Sequence, residues 1–303
     1  QFVIPVYQRN YTWTFNKELK QFLDDLEMLI YNKENNHFLG ILIYLITPVS
    51  AYGSSEFSVI DGQQRLTTTF LTLYAIRDTL IELGEVEKSI KLESITLQNS
   101  LESGQRRFKL KPLVDDEKVY QKIVQKDLNS ISDKKSNVFR NYNSIREKID
   151  LWLKEGYSVE DLLLALDRFY IVTVPISDND DPQKIFESIN STGAKLTASD
   201  LIRNYILMDL PSDRQDYLYN NYWKKIEKFI SNDPKKLESF FRFFLSSKFY
   251  NLTNKSSIYR EFKIWMENYI DQGEFEIEDV FSHLLHYARL NHRIFSEPLN
   301  KDT

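Results

Sequence analysis

Five consecutive residues, Asp61-Gly62-Gln63-Gln64-Arg65, concentrate the side chains that phosphoryl chemistry uses. A carboxylate can hold a divalent cation or orient water. Two carboxamides can hydrogen-bond phosphate, water or a base edge, and a guanidinium can neutralise phosphate oxygens. Before them, Glu56–Ile60 alternates like a short strand. After them, Leu66, Phe70, Leu73, Ile76 and Leu80 recur at helical spacing up to about Leu83. A strand, a tight turn at Asp61-Gly62 and a helix start are therefore expected in succession. That geometry aims free backbone N–H groups and the positive end of the helix dipole at one point, an anion site. Arg65 opposes the dipole in the first turn, a conflict that an intervening phosphate resolves. The alternative is a polar turn satisfying its own backbone, and an Arg65 pinned in an internal ion pair away from any cleft would leave only a scaffold.

A second segment, Ile4–Trp13 (IPVYQRNYTW), sets Gln8 and Arg9 among Tyr7, Tyr11 and Trp13 without helical periodicity. Gln8 and Arg9 can fork onto phosphate or a base, and the rings offer stacking planes for nucleic acid. The rings can equally cover a sheet edge, with Arg9 in a salt bridge. A third segment, Phe186–Asn204, holds a polar loop with Asn190, Gly193 and Lys195. A helix start follows, capped by Thr197 or Ser199 and bearing Asp200 and Arg203.

Other chemistries are poorly served. The chain has neither the GxxxxGK[ST] loop of P-loop NTPases nor GxGxxG. Zero Cys removes disulfides, thiol nucleophiles, cysteine zinc sites and iron–sulfur clusters. Of four histidines, His283 and His286 share a helix face, with Asp279 one turn earlier; a metal pair is conceivable there, but no third ligand is compelling and surface or half-buried histidines are the better reading. His37 and His292 stand apart. Asp78, Glu85, Glu87 and Lys88 loosely resemble a carboxylate-and-lysine nuclease pattern, on a helix rather than on strands.

The elements that must position these residues follow from composition and pattern. With 303 residues, 42% hydrophobic and 27% charged, the chain can bury about two cores. Only 8 Gly and 8 Pro argue for long helices and against an all-β sandwich or barrel. Asn16 can cap a helix with Leu19, Phe22, Leu23, Leu26, Leu29 and Ile30 inside. Phe38–Ile46 is a buried strand broken by Gly40, and Arg107–Lys111 is an edge strand stopped by Pro112. From Asp115 helix dominates, interrupted by a strand over Phe169–Ile176 that returns to the N-terminal sheet. Beyond Pro211 helices follow, broken near residues 232–234, 252–254 and 272–273. The fold class is α+β: a mixed core over 1–112, onto which strand 169–176 and block 182–208 pack back, and a mainly helical domain over 113–303.

Net charge is −5, yet residues 224–263 carry ten basic and four acidic groups. Solvated helix faces explain this. The sharper reading is a DNA-tracking patch including Lys224, Lys225, Lys235 and Lys236, with Tyr222, Trp223, Phe229, Tyr250 and Tyr259 interleaved. The longest apolar run is too short to span a membrane and no signal peptide opens the chain, so a cytoplasmic protein is expected. Gln1 at the start and the linker-like residues after Glu297 make both ends expected continuations of a longer gene product.

IPVYQRNYTW, then FLGILIYLI with VIDGQQRLTTTFLTLYAIRD, then IFESINSTGAKLTASDLIRNYIL occur in this order over about residues 1–210. The combination resembles the N-terminal domain of DGQQR-motif restriction and phage-defence proteins typified by GmrSD and SspE. The resemblance implies a ParB-like α/β core whose Asp61, Gly62, Gln63, Gln64 and Arg65 serve nucleotide binding and hydrolysis. It implies that Gln8 and Arg9 line the same cavity, near the DNA reader of modification-sensing relatives. Asn190, Gly193, Lys195, Asp200 and Arg203 would supply supporting contacts. The implied activity is an NTPase (GTP or UTP class) that senses DNA, modified DNA included, with Mg2+ on Asp61 and cleavage by an HNH-type nuclease domain outside this sequence. A homo-oligomer or a partner nuclease chain is compatible with that reading. A non-catalytic nucleotide- or DNA-binding module, and a metal-dependent DNA-nicking nuclease, are the alternatives.

Overall fold

The structure is a computed structural model, and it describes residues 1–33, 35–47, 55–177, 180–190, 196–271 and 276–296. The chain packs as two units. The first comprises residues 1–5 and 9–180; the second comprises residues 6–8 and 181 onward.

Unit 1 is built on a five-stranded mixed sheet, β1 (Phe2–Val3), β2 (His37–Thr47), β3 (Glu56–Asp61), β4 (Leu110–Lys111) and β5 (Phe169–Ile176), in the order β4-β1-β3-β2-β5. β2 runs antiparallel to β3 and parallel to β5, and β1 is parallel to both β3 and β4. Phe169–Ile176 thus joins the N-terminal sheet, as its β-branched and aromatic pattern predicts. The edge strand expected over Arg107–Lys111 is confined to Leu110–Lys111: Arg107 ends a turn of 3-10 helix and Phe108 makes an isolated bridge to Gln98. Register slips where β2 passes Gly40, whose φ of +133° belongs to glycine.

Helices α1 (Lys20–Tyr31), α2 (Gln63–Glu82), α3 (Val86–Leu92), α4 (Val114–Val124), α5 (Asn137–Lys154) and α6 (Val159–Leu166) complete unit 1. The helical turn before α1 starts after Thr14, so Asn16 lies inside it rather than capping it. α2 is more central than its one-sided apolar pattern predicts: besides Phe70, Ile76 and Leu80 it buries Leu71, Tyr74, Ala75, Thr68, Thr72 and Arg77. Arg77 is tolerated there because its guanidinium donates to the carbonyls of Ile123 (2.9 Å) and Val124 (2.9 Å) at the end of α4. It also pairs with Asp78, whose other oxygen accepts from Tyr142 at 2.5 Å. Val119, Tyr120, Ile123, Val138, Tyr142, Ile145 and Trp152 lie in one core with α1 and α2. Residue 112, the expected domain boundary, therefore falls inside unit 1, because the apolar faces of α4 and α5 are buried against α2.

Unit 2 contains α7 (Pro182–Asn190), α8 (Ala198–Leu207), α9 (Ser212–Leu218), α10 (Lys224–Phe229), α11 (Pro234–Phe249), α12 (Ile258–Asp271) and α13 (Ile277–Ser296). Its core is aromatic: Trp223 stacks on Phe241, Phe241 meets Phe262 edge-on, and Phe244 meets Trp265 edge-on. Thr197 caps α8 in a reciprocal box with Asp200, and Asp233 caps α11 ahead of Pro234.

Candidate functional site

The expected strand–turn–helix is present, and its geometry rests on Gly62. With φ of +95°, Gly62 turns the chain from β3 into α2, and a Cβ there would lie 2.9 Å from the carbonyl oxygen of Ile41. The side chains that follow diverge. Arg65 turns back over β2: its Nη2 donates to the Ile41 carbonyl at 2.7 Å and to Asp61 Oδ2 at 3.1 Å. Gly40 makes room for it, since a Cβ at that position would sit 2.9 Å from Arg65 Nε. The guanidinium expected on phosphate is thus held by Asp61 and a backbone carbonyl, with 28% of the side chain exposed.

Gln63 and Gln64 face the other way. The Gln64 carboxamide clamps the N-terminal segment, accepting from Thr12 N–H at 2.9 Å and donating to the Asn10 carbonyl at 3.1 Å. Both its polar ends are engaged, so it positions the backbone that carries Arg9. Gln63 is only 7% exposed, and among the described residues its buried Oε1 has no hydrogen-bond partner. It lines a small cleft with Arg9, Tyr11, Gln64, Thr67 and Asp116. Among the described residues, the half-buried Arg9 guanidinium has no ion pair or hydrogen bond.

Asp116, in the first turn of α4, is the cleft's carboxylate. Its Oδ2 accepts the Tyr11 N–H at 2.7 Å. Burial, with Asp115 adding repulsion, pushes its pKa up to about 6. No sequence signal distinguished it: a run of acidic residues opening a helix reads as a complement to the helix dipole. Behind the cleft, Tyr11 Oη bonds Thr68 Oγ1 at 2.6 Å and accepts from Asn141 Nδ2 at 3.0 Å. The Tyr11 ring is consequently part of the core, not a stacking surface.

The sequence model of the GmrSD restriction endonuclease N-terminal domain matches residues 1–207. The chain belongs to that family. It is also 25% identical over 233 residues to an uncharacterized protein, MJ0686, of Methanocaldococcus jannaschii, a match covering 66% of this chain and 38% of the relative. The chain therefore spans well under half the length of that relative.

The other predicted residues are dispersed over this GmrSD-type domain and the helices beyond it. Asp200 and Arg203 are engaged within unit 2: Arg203 donates to the Tyr7 carbonyl at 3.1 Å and pairs with Glu227 (3.1 Å) and Asp200 (3.2 Å). They hold the segment 6–8, in which Tyr7 and Gln8 are buried. Trp13 is partly buried against the unit 1 core. Lys224, Lys225, Lys235 and Lys236 are exposed, whereas Trp223 is fully buried and Tyr222 and Tyr259 donate to Glu278 and Glu187. Asn190 ends α7 with its side chain outside the described residues, as are Gly193 and Lys195. His283 packs against Trp265, Tyr269 and Tyr287, and no group of three or more metal-ligating His, Asp or Glu residues occurs among the described residues. Nor is any helix among them long and apolar enough to cross a membrane.

Proposed function

We propose that this chain is the nucleotide-binding and nucleotide-hydrolysing, DNA-sensing part of a modification-dependent restriction or anti-phage defence protein. DNA cleavage then belongs to a separate nuclease domain or partner chain. The observation that carries the reading is the α2 N-terminus. There, Arg9, half-buried and without an ionic partner among the described residues, and Gln63, whose buried carboxamide oxygen has no hydrogen bond among them, line one cleft beside the positive end of a 20-residue helix. Leaving such groups unsatisfied costs about 1–3 kcal/mol each, a cost that a bound ligand removes.

In this reading Arg9, rather than Arg65, supplies the charge for phosphate. The inner cleft has about 10 Å³ of space for a water-sized sphere. It can take an ion or one phosphoryl oxygen, and the base and sugar of a nucleotide would lie outside its mouth. One oxygen of Asp61 is paired with Arg65, which competes with the Mg2+ expected on this carboxylate. A divalent ion, when bound, would supply charge neutralisation for the transferring phosphate. The exposed Lys224, Lys225, Lys235 and Lys236 would track the DNA backbone.

The test is phosphate release from a panel of nucleoside triphosphates, with and without modified DNA. Turnover that falls at least tenfold in Arg9→Ala supports the reading, and no turnover under any condition sinks the hydrolytic part. A second reading, binding without hydrolysis, is favoured by the Arg65–Asp61 pair, which withholds the motif's guanidinium from the cleft. Nucleotide binding by calorimetry without phosphate release would select it.

A further inference from the structure

The cleft contains oxygens as well as a cation, and they suit a metal. Among the described residues, Asp116 is the one acidic side chain lining it. One carboxylate oxygen takes the Tyr11 N–H, and among the described residues no cation pairs with the other. Gln63, more than nine-tenths buried, lines the same cleft, and among the described residues its side-chain carbonyl oxygen has no donor. A buried acceptor without a donor is costly, and two hard oxygens around a space of about 10 Å³ match a small divalent cation in size and chemistry. Magnesium is commonly held by one or two carboxylates, with waters and substrate phosphates completing its shell. Arg9 in the same cleft weakens the binding of a bare cation without preventing it, and a phosphate between the two would strengthen it.

We propose that Asp116 Oδ1 and Gln63 Oε1 form a divalent-cation site, taking Mg2+ or Mn2+, and that Asp61 is not its carboxylate. Only the identity of the remaining ligands, nucleotide phosphate oxygens, rests on the function proposed above. The protein contribution stands or falls with metal alone.

The experiment is Mn2+ titration of the 303-residue chain without nucleotide, followed by electron paramagnetic resonance. Wild type is expected to bind one ion. Asp116→Asn should weaken binding at least about tenfold, the scale on which even indirect metal-site contacts act. Gln63→Leu should weaken it less. Arg9→Ala should tighten it roughly two- to fivefold by removing a repelling charge, an effect that a merely structural role for the cleft would not produce. Equal binding by wild type and Asp116→Asn, or loss in Asp61→Asn instead, overturns the proposal. So does the absence of any Mn2+ site, which would make the cleft a water site.

Should Asp116→Asn fail to fold, Fe2+ with ascorbate and peroxide on the wild-type chain gives an independent map. Backbone cleavage at residues 114–117 supports the site, and cleavage at 40–42, beside Asp61 and Arg65, overturns it. Nucleotide hydrolysis is read separately by phosphate release, so failure of one assay does not imply failure of the other.

Discussion

The two ends of α2 both bury polar groups, yet they treat them differently. Near the C-terminal end, Arg77 has no exposed surface and is met by Asp78, Glu93 and the carbonyls of Ile123 and Val124. Near the N-terminal end, neither Gln63 Oε1 nor the Arg9 guanidinium has a partner among the described residues. A satisfied buried charge holds helices together, and an unsatisfied one is tolerated where a ligand completes it. The contrast recurs within the motif itself, where Arg65 and Asp61 satisfy each other while Gln63 does not.

The sharpest way to break this comparison is Arg77→Met. It leaves Asp78 buried without its cation and two α4 carbonyls without donors, so urea unfolding should show a loss of about 3–5 kcal/mol. A loss below about 1 kcal/mol would put the C-terminal cluster in the same class as the cleft.

Asp116 comes next. Its folded pKa of about 6 exceeds its ordinary value of 3.8, so the folded state holds the proton more tightly. The contribution to stability is fully present below about pH 4 and is lost as pH rises through 6. The difference corresponds to about 3 kcal/mol. Asp116→Asn should therefore be more stable than wild type at pH 8 by up to that amount, with the advantage vanishing near pH 4, as read by thermal melts across pH. An advantage that does not depend on pH would deny the cost of the buried carboxylate.

Gly62→Ala should cost about 1–3 kcal/mol, from a positive φ and a clash with the Ile41 carbonyl, and should misplace the start of α2. Circular dichroism melts read the first effect. Arg9→Ala should have the smallest effect on stability, within about 0.5 kcal/mol, because its guanidinium has no partner to lose. A large destabilisation would move Arg9 to the architectural class and remove the cation from the cleft.

Much of unit 1 was legible in order and type. The apolar run ending at Ile46, the alternation before Asp61 and the β-branched stretch from Phe169 are all strands of one sheet. Of the two caps expected for α8, Thr197 and Ser199, it is Thr197 that fills the position. Periodicity also marked the inward side of α2, but not that its polar face would be buried too. Thr72 and Arg77 become interior only because α4 and α5 close over them. The boundary near Pro112 failed for the same reason, since a change from mixed to helical composition does not separate cores.

Residue types and local spacing determined the strand–turn–helix, the need for glycine at position 62 and the family to which residues 1–207 belong, because each depends on neighbours a few positions apart. Tertiary structure alone decided which charges are spent and which remain open. Arg65 meets a carbonyl 24 residues earlier, Arg203 reaches the Tyr7 carbonyl 196 residues away, and Asp116 meets the Tyr11 N–H 105 residues away. Electrostatic partners are chosen by distance in space, which residue types and short-range spacing do not contain.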